Sequence, residues 1–208
     1  MKKYLVEFIG TFFLVLTIGC TVLPGAAGVI APVAIGGVLM AMIYAGGHVS
    51  GAHYNPAVTL ALFVRGKCEG KEIAPYVLAQ VAGAVAAGFV AMWLTGKSGT
   101  PMVITQVPQV FVAEFLFTFA LAYVILNVAT AKAMAGNPIY GIAIGMTVIA
   151  GAFAVGGISG GAFNPAVVIG IATMKLVSFG DVWIHLVANV CGGLLAGLSF
   201  KMIHPTDR

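Results

Sequence analysis

Residues 45–58 read AGGHVSGAHYNPAV and residues 154–167 read AVGGISGGAFNPAV, with eight of fourteen aligned positions identical. In each copy a glycine-containing stretch leads into Asn-Pro-Ala, at Asn55-Pro56-Ala57 and at Asn164-Pro165-Ala166. Asparagine is a good N-cap, and proline suits the first turn of a helix, where its missing N–H has no partner to lose. Each copy therefore predicts a helix that begins at its asparagine.

The helices predicted after these motifs, at about 55–65 and 164–175, are too short to cross a bilayer, which needs about 20 residues. Short apolar segments interrupted by Gly and Pro are typical of re-entrant half-helices. Six other apolar runs are long enough to span, at roughly residues 5–23, 31–49, 74–94, 109–128, 138–157 and 181–202. The expected fold class is an all-α membrane protein with six transmembrane helices and two re-entrant half-helices.

The composition agrees with a bilayer as the solvent. The chain has 208 residues, 61% of them hydrophobic and 8% charged, with a mean hydropathy of +1.07. Soluble domains are about 25% charged. So few charged groups cannot cover a water-facing surface, which excludes a soluble enzyme, a nucleic-acid binder and a disordered chain. The lipid bilayer is the expected partner, and no nucleic-acid partner is expected.

The two copies belong to a longer internal repeat. At an offset of 109, Gln80-Val81-Ala82-Gly83 lies over Asn189-Val190-Cys191-Gly192, and at an offset of 107 Glu7 lies over Glu114. The whole chain is thus expected to be a single transmembrane channel domain, with repeat 1 at about 1–97 and repeat 2 at about 105–208. Three spans per half mean that the halves insert in opposite directions. Such inverted repeats hold their solute site at the repeat interface near the midplane.

The basic residues predict the orientation. With the N-terminus inside, only Lys97 and Lys175 lie outside, and eight cations are cytoplasmic: Lys2, Lys3, Arg65, Lys67, Lys71, Lys132, Lys201 and Arg208. This is a strong positive-inside bias. We therefore expect an integral membrane protein, of the plasma (inner) membrane, with both termini cytoplasmic.

The half-helices suggest how the chain treats charge. The inverted repeat brings their N-termini together from opposite sides, and each N-terminus carries about half a positive charge. Two such ends repel cations and protons, while the amides of Asn55 and Asn164 can donate hydrogen bonds to a neutral oxygen. The irregular segments before them must face protein or water at this depth, so their carbonyls are expected to line a pore.

Three polar residues in the apolar runs are expected to support the loops. Glu7 and Glu114 occupy symmetric positions, so each is expected to accept hydrogen bonds from the re-entrant loop of its own half, with transport chemistry as the alternative. His53 is expected to brace the first loop, whereas His185 is placed at the interface near the outer end of span six. We find no catalytic residues, no metal-ligand cluster and no cofactor motif in the sequence, so no enzyme is expected.

The paired motifs resemble those of the aquaporin, or major intrinsic protein, family. The matching residues are Ser50 through Thr59, Gly160 through Ala166, the Glu7 and Glu114 pair, and Gln80-Val81-Ala82-Gly83. The resemblance implies a right-handed bundle with one pore per subunit, a homotetramer, and passive movement of water or small uncharged solutes. It also implies the loop-bracing role of the two glutamates.

The resemblance places the outer selectivity filter at Ile35, Ala152, Gly161 and Val167. Most members have arginine where Val167 stands, and glycerol-type members follow it with aspartate, where this chain has Val168. The expected function is a passive channel for polyols, urea-like molecules or metalloid hydroxides, together with water. The alternatives are a mainly water-selective aquaporin and a secondary transporter with alternating access, which also uses inverted repeats and broken helices.

Overall fold

The apolar runs form helices in the computed structural model, which describes residues 1–25 and 27–207. The α-helices are α1 (Lys2–Val22), α2 (Ala31–Ser50), α3 (Pro56–Arg65), α4 (Gly70–Thr95), α5 (Val107–Ile125), α6 (Tyr140–Ser159), α7 (Pro165–Thr173) and α8 (Val182–Ile203). Short 3-10 turns occupy Gly28–Ile30 and Lys132–Met134, and a π-helical turn, Leu126–Thr130, extends α5. Arg208, one of the cations expected at the cytoplasmic face, lies outside the described residues.

Six of these helices, within the described ranges, are long and apolar enough to cross a membrane. The two that are not, α3 and α7, begin directly after Asn55 and Asn164, as the capping pattern predicts. The predicted all-α fold with six spans and two half-helices is confirmed, with helix ends that differ from the predicted ones by a few residues.

The two halves of the chain pack in the same way and exchange their half-helices. In the first half α1 packs along α4, and in the second α5 packs along α8. Half-helix α3 lies on α8, and α7 lies on α4, so each half-helix is held by the last span of the other half. This exchange brings the starts of α3 and α7 together inside the bundle.

Small residues allow these close packings. A Cβ on Gly83 of α4 would lie 2.5 Å from the Phe8 carbonyl oxygen of α1, and one on Gly192 of α8 would lie 2.6 Å from the Phe115 carbonyl oxygen of α5. A Cβ on Gly193 would lie 2.5 Å from the Ala57 carbonyl oxygen of α3. A side chain at any of these glycines would clash with the backbone of the neighbouring helix. Glycine therefore allows these helices to pack with their backbones in close contact.

Polar contacts tie the loops together at each end of the bundle. At the end that holds Met1 and the C-terminal tail, called here the termini face, Lys3 pairs with Glu72 (2.8 Å) and Arg65 pairs with Asp207 (2.7 Å). At the opposite end, the far face, the 96–106 loop is tied to the segment after α7. Its Met102 N–H donates to the Leu176 carbonyl at 3.0 Å.

Candidate pore

The two Asn-Pro-Ala motifs interlock at the centre of the bundle. The Asn55 side-chain oxygen accepts from the Ala57 N–H (2.9 Å), and its amide nitrogen donates to the Phe163 carbonyl (2.9 Å). Asn164 accepts in the same way from the N–H of Ala166 (2.9 Å), and its amide nitrogen donates to the Tyr54 carbonyl (2.8 Å). Each asparagine therefore caps its own half-helix and holds the loop of the other half.

This pairing leaves donors for a solute. An asparagine amide nitrogen carries two hydrogens. Asn55 and Asn164 each direct one of them to a loop carbonyl, and both residues also line the central cavity. One N–H on each side chain is therefore available inside the cavity, next to the positive ends of the two half-helices.

Glu7 supports the loop of the first half. Its carboxylate accepts four hydrogen bonds, from Ser50 Oγ (2.7 Å), the His53 N–H (2.9 Å), the Tyr54 N–H (2.7 Å) and Gln80 Nε2 (2.8 Å). Both oxygens are used twice, so the four acceptor sites of the carboxylate are occupied. The side chain is fully buried and does not line the cavity.

Glu114 repeats this arrangement in the second half. It accepts from Ser159 Oγ (2.7 Å), the Ala162 N–H (2.9 Å) and the Phe163 N–H (2.8 Å). The fourth donor is the Asn189 amide, at 2.9 Å, in the orientation that satisfies both ends of that amide. A carboxylate saturated by four donors is a fixed acceptor, which supports a bracing role and leaves it no free site for transport chemistry.

The glutamates hold a backbone that is otherwise unfavourable. Ala52, Tyr54 and Phe163 have φ values of 51°, 49° and 48°, in the left-handed region that residues with a Cβ rarely adopt. The N–H groups of Tyr54 and Phe163 are bonded directly to the two glutamates. Such conformations persist when the surroundings overdetermine them, and they cluster at functional sites.

One sequence-based placement is wrong. His185 is fully buried, and its Nε2 lies 2.9 Å from the Ser159 carbonyl oxygen. At the repeat offset of 109, it matches Tyr76, whose hydroxyl donates to the Ser50 carbonyl at 2.7 Å. It therefore supports the second loop as Tyr76 supports the first, and is not interfacial. Sequence reasoning singled out neither residue for this role, although the repeat offset relates them.

His53 borders the central cavity as well as belonging to the first loop. Its Nδ1 is 3.1 Å from Thr59 Oγ1, and its ring packs against Tyr76 with 4.6 Å between centroids. The imidazole is only 8% exposed, yet it borders the central cavity.

The central cavity has a volume of about 60 Å³, and the two asparagines are among the residues that line it. At ~10–15 Å³ for one water, this is room for a few water molecules in a narrow passage. Toward the far face it is lined by Ile35, Gly161 and Val167, three of the four residues expected to form the filter. The fourth, Ala152, lies against Gly161 and does not line the cavity, where Val148, one helical turn earlier, does.

A second cavity opens at the termini face. It has a volume of about 530 Å³ and is bordered by both charged and polar residues, among them Lys3, Lys67 and Glu72. It shares four residues with the central cavity: Gly51, His53, Ile125 and Ala129. The two cavities thus adjoin at these residues, with the termini-face cavity on one side and the asparagine-lined cavity on the other.

Residues 1–200 match the family model described as major intrinsic protein. The chain belongs to the major intrinsic protein family. As a member of that family, it is an integral membrane channel, and the paired asparagines line its central cavity.

Known relatives of this major intrinsic protein cover its whole length. It is 35% identical to aquaporin NIP1-4 of Oryza sativa subsp. japonica, across 99% of this chain and 78% of that protein. It is 34% identical to aquaporin NIP1-1 of Zea mays, across 100% of this chain and 77% of that protein. The aquaglyceroporin structure from Plasmodium falciparum has the same fold, with a TM-score of 0.82 and 23% identity across 98% of this chain and 97% of that one.

Proposed function

We propose that this major intrinsic protein is a passive channel for small uncharged solutes, together with water. The solutes are polyols, urea-like molecules or metalloid hydroxides. The observation that carries the proposal is the far-face half of the cavity, where Ile35, Gly161 and Val167 present neither charge nor a side-chain donor. The relatives named aquaporin and aquaglyceroporin support it.

The selection against ions arises at the asparagines. Here the N-termini of α3 and α7 face each other, and each contributes about half a positive charge. A cation in this narrow passage loses its hydration and meets a positive field, whereas a neutral hydroxyl meets the free N–H groups of Asn55 and Asn164. Passage therefore favours neutral molecules that can accept hydrogen bonds.

The selection for solutes larger than water arises at Val167. Arginine in this position would narrow the pore and supply fixed donors and a positive charge, and valine supplies none of these. The 96–106 loop brings Met102 against the apolar core that contains Val167, which adds bulk without charge. This part of the pore discriminates between solutes by size and polarity. The barrier to protons arises elsewhere, from the N-termini of the two half-helices alone.

We further propose how the channel is organised in the cell. It is a single channel domain of two inverted repeats, about 1–97 and 105–208, that assembles as a homotetramer in the plasma (inner) membrane with cytoplasmic termini. The protein performs no chemistry on its solutes and needs no cofactor. Large apolar side chains exposed on the outer surface, such as Leu78 and Trp93 of α4, support contact with lipid or with neighbouring subunits.

The decisive experiment compares the wild type, Val167→Arg and Val167→Leu in proteoliposomes, by stopped-flow measurement of glycerol, urea and water flux. Arginine should reduce glycerol and urea flux at least about tenfold and water flux less, because it narrows the mouth and adds charge. Leucine adds bulk without charge and should have a smaller effect. Wild-type vesicles permeable to water alone would contradict the proposal and favour a water-selective aquaporin.

An alternating-access transporter is the other candidate, and the same vesicles distinguish it. A channel gives a low activation energy and flux that does not saturate at modest solute concentration. Saturation with a high activation energy would indicate a transporter.

A further inference from the structure

The polar side chains of the central cavity are distributed unevenly along it. Asn55 and Asn164 lie at its centre, and no polar side chain borders its far-face half among the described residues. Tyr54 also borders the cavity, but its hydroxyl donates to the Met42 carbonyl at 2.9 Å. The remaining two polar side chains, His53 and Tyr140, lie on the termini-face side.

The hydrogen-bond network determines what His53 offers to a solute. Thr59 has a single hydroxyl hydrogen, and Thr59 Oγ1 donates it to the Asn55 carbonyl at 3.1 Å. The contact between Thr59 Oγ1 and His53 Nδ1 must therefore use a hydrogen on Nδ1. In a neutral imidazole this leaves Nε2 as an acceptor, a tautomer assigned from the network. Nε2 has no protein partner among the described residues and lies beside Gly51, at the cavity wall.

Tyr140 contributes a free hydroxyl on the same side. It is the first residue of α6, and its hydroxyl oxygen would lie 3.1 Å from a Cβ on Gly47 of α2. Gly47 is one helical turn before Gly51, whose N–H donates to the Gly47 carbonyl at 3.0 Å. The Tyr140 ring is held by Tyr44, with 5.2 Å between centroids, and its hydroxyl has no protein partner in the described part of the chain.

His53 lies where the central cavity adjoins the termini-face cavity, and Tyr140 borders the central cavity. The central cavity and the termini-face cavity meet at Gly51, His53, Ile125 and Ala129. Ile125 and Ala129 are one turn apart, at the junction of α5 with the π-helical turn, a distortion that often marks functional sites. A solute that moves between the two cavities meets the apolar side chains of Ile125 and Ala129 and the polar groups of His53 and Tyr140.

We propose that this inner constriction, formed by His53, Ile125, Ala129 and Tyr140, selects among uncharged solutes, with Tyr140 as its specificity-determining residue. The inference rests on the proposed function and deepens it. His53 Nε2 accepts and the Tyr140 hydroxyl accepts or donates, whereas the asparagines donate. A molecule with both donors and acceptors, such as a polyol or urea, exchanges its hydration for protein hydrogen bonds at both places. A molecule without donors cannot bond to His53 Nε2 and loses that part of the compensation at the constriction.

The test is Tyr140→Phe, which removes only the hydroxyl, with Tyr44→Phe as the matched control. The Tyr44 hydroxyl donates to the Pro138 carbonyl at the surface, outside the pore. Glycerol, urea and water flux are measured in the same proteoliposome preparations. Tyr140→Phe should lower the ratio of glycerol to water permeability roughly two- to tenfold, the effect of one neutral hydrogen bond. Tyr44→Phe should keep the wild-type ratio.

The outcomes separate this inference from the proposed function. A wild type that conducts glycerol and urea, with an unchanged glycerol-to-water ratio in Tyr140→Phe, overturns the inference alone. Equal loss of glycerol and water flux also overturns it, because that result indicates a structural effect. A wild type that passes only water overturns the proposed function. Tyr140→Ala provides a second readout, since a wider constriction should raise the flux of four- and five-carbon polyols relative to glycerol, and an unchanged relative flux contradicts the proposal.

Discussion

Glu7 and Glu114 determine whether the loops can keep their shape, because each carboxylate bonds two backbone N–H groups of a loop with left-handed residues. Glu7→Gln keeps the size of the side chain but directs an NH₂ group at donors. We expect a loss of about 1–3 kcal/mol, the cost of leaving a buried donor unsatisfied. Thermal unfolding in detergent measures it. Glu69→Gln, in an exposed side chain, is the control, and equal midpoints for the two variants would contradict the bracing role.

At the scale of residues, the internal repeat predicts which side chains occupy matching positions in the two halves, whereas reasoning that ignores the repeat misplaces His185. The glutamates and asparagines were predicted from their symmetric positions. His185 was placed by its position near a span end, although the offset of 109 matches it to Tyr76. The spacing from Asn164 predicts Ala152 as a filter residue. Whether this side chain or its neighbour one turn away, Val148, faces the cavity depends on the rotation of the helix, which sequence spacing does not give.

At the scale of elements, the two half-helices act as a pair of opposed dipoles. Asn164→Asp places a carboxylate at their meeting point and removes the donor to the Tyr54 carbonyl. The negative charge offsets the helix ends, so the variant should conduct small cations that the wild type excludes. Conductance across planar bilayers measures this, with retained water flux as the control for folding. A folded, water-conducting and electrically silent variant would contradict the dipole explanation of ion exclusion.

The C-terminal tail is a second element with a clear electrostatic role. The Lys132 N–H donates to Asp207 at 2.8 Å and the Arg65 guanidinium pairs with it, and together they lower the pKa of that carboxyl below its usual value. Because the pKa of Asp207 is lower in the folded protein than in the unfolded chain, the ionised carboxylate stabilises the attached tail at any pH above the unfolded pKa of about 3.9. This stabilisation is lost as the pH falls through the folded pKa. The protection of the tail amides from hydrogen exchange, relative to their intrinsic rate at each pH, should therefore fall below about pH 4. Asp207→Asn should show fast exchange at neutral pH, and slow exchange there would contradict the tie.

Hydropathy predicted the helices well but not their local form. It reports the apolar length of a segment, so the six spans and both short segments were found. It does not report the hydrogen-bond pattern within a helix, so the π-helical turn Leu126–Thr130 and the constriction beside it were not predicted.

At the scale of the whole molecule, the exchange of half-helices explains why residues of both halves of the chain line the central cavity. Each half-helix packs on the last span of the other half, through Gly193 against Ala57 and through Gly170 against Ala84. The wall of the central cavity is therefore built from residues of both halves. The sequence predicted the two-fold relation of the halves, but not which span receives which half-helix, because that contact joins segments far apart in the chain.

The distribution of basic residues between the two ends of the bundle predicts its orientation in the membrane. Lys132 lies at the termini face, where its N–H binds Asp207, and Lys97 follows α4 at the far face. The eight-to-two distribution of Lys and Arg predicts that the termini face is cytoplasmic. Single cysteines at Lys97 and Lys132, in a background without Cys20, Cys68 and Cys191, test this with a membrane-impermeant thiol reagent. In intact cells Lys97→Cys should be labelled and Lys132→Cys protected, and both should react after permeabilisation. The reverse pattern would invert the orientation, and equal labelling in intact cells would contradict the six-span topology, because five crossings or seven would be needed to place both positions on one side.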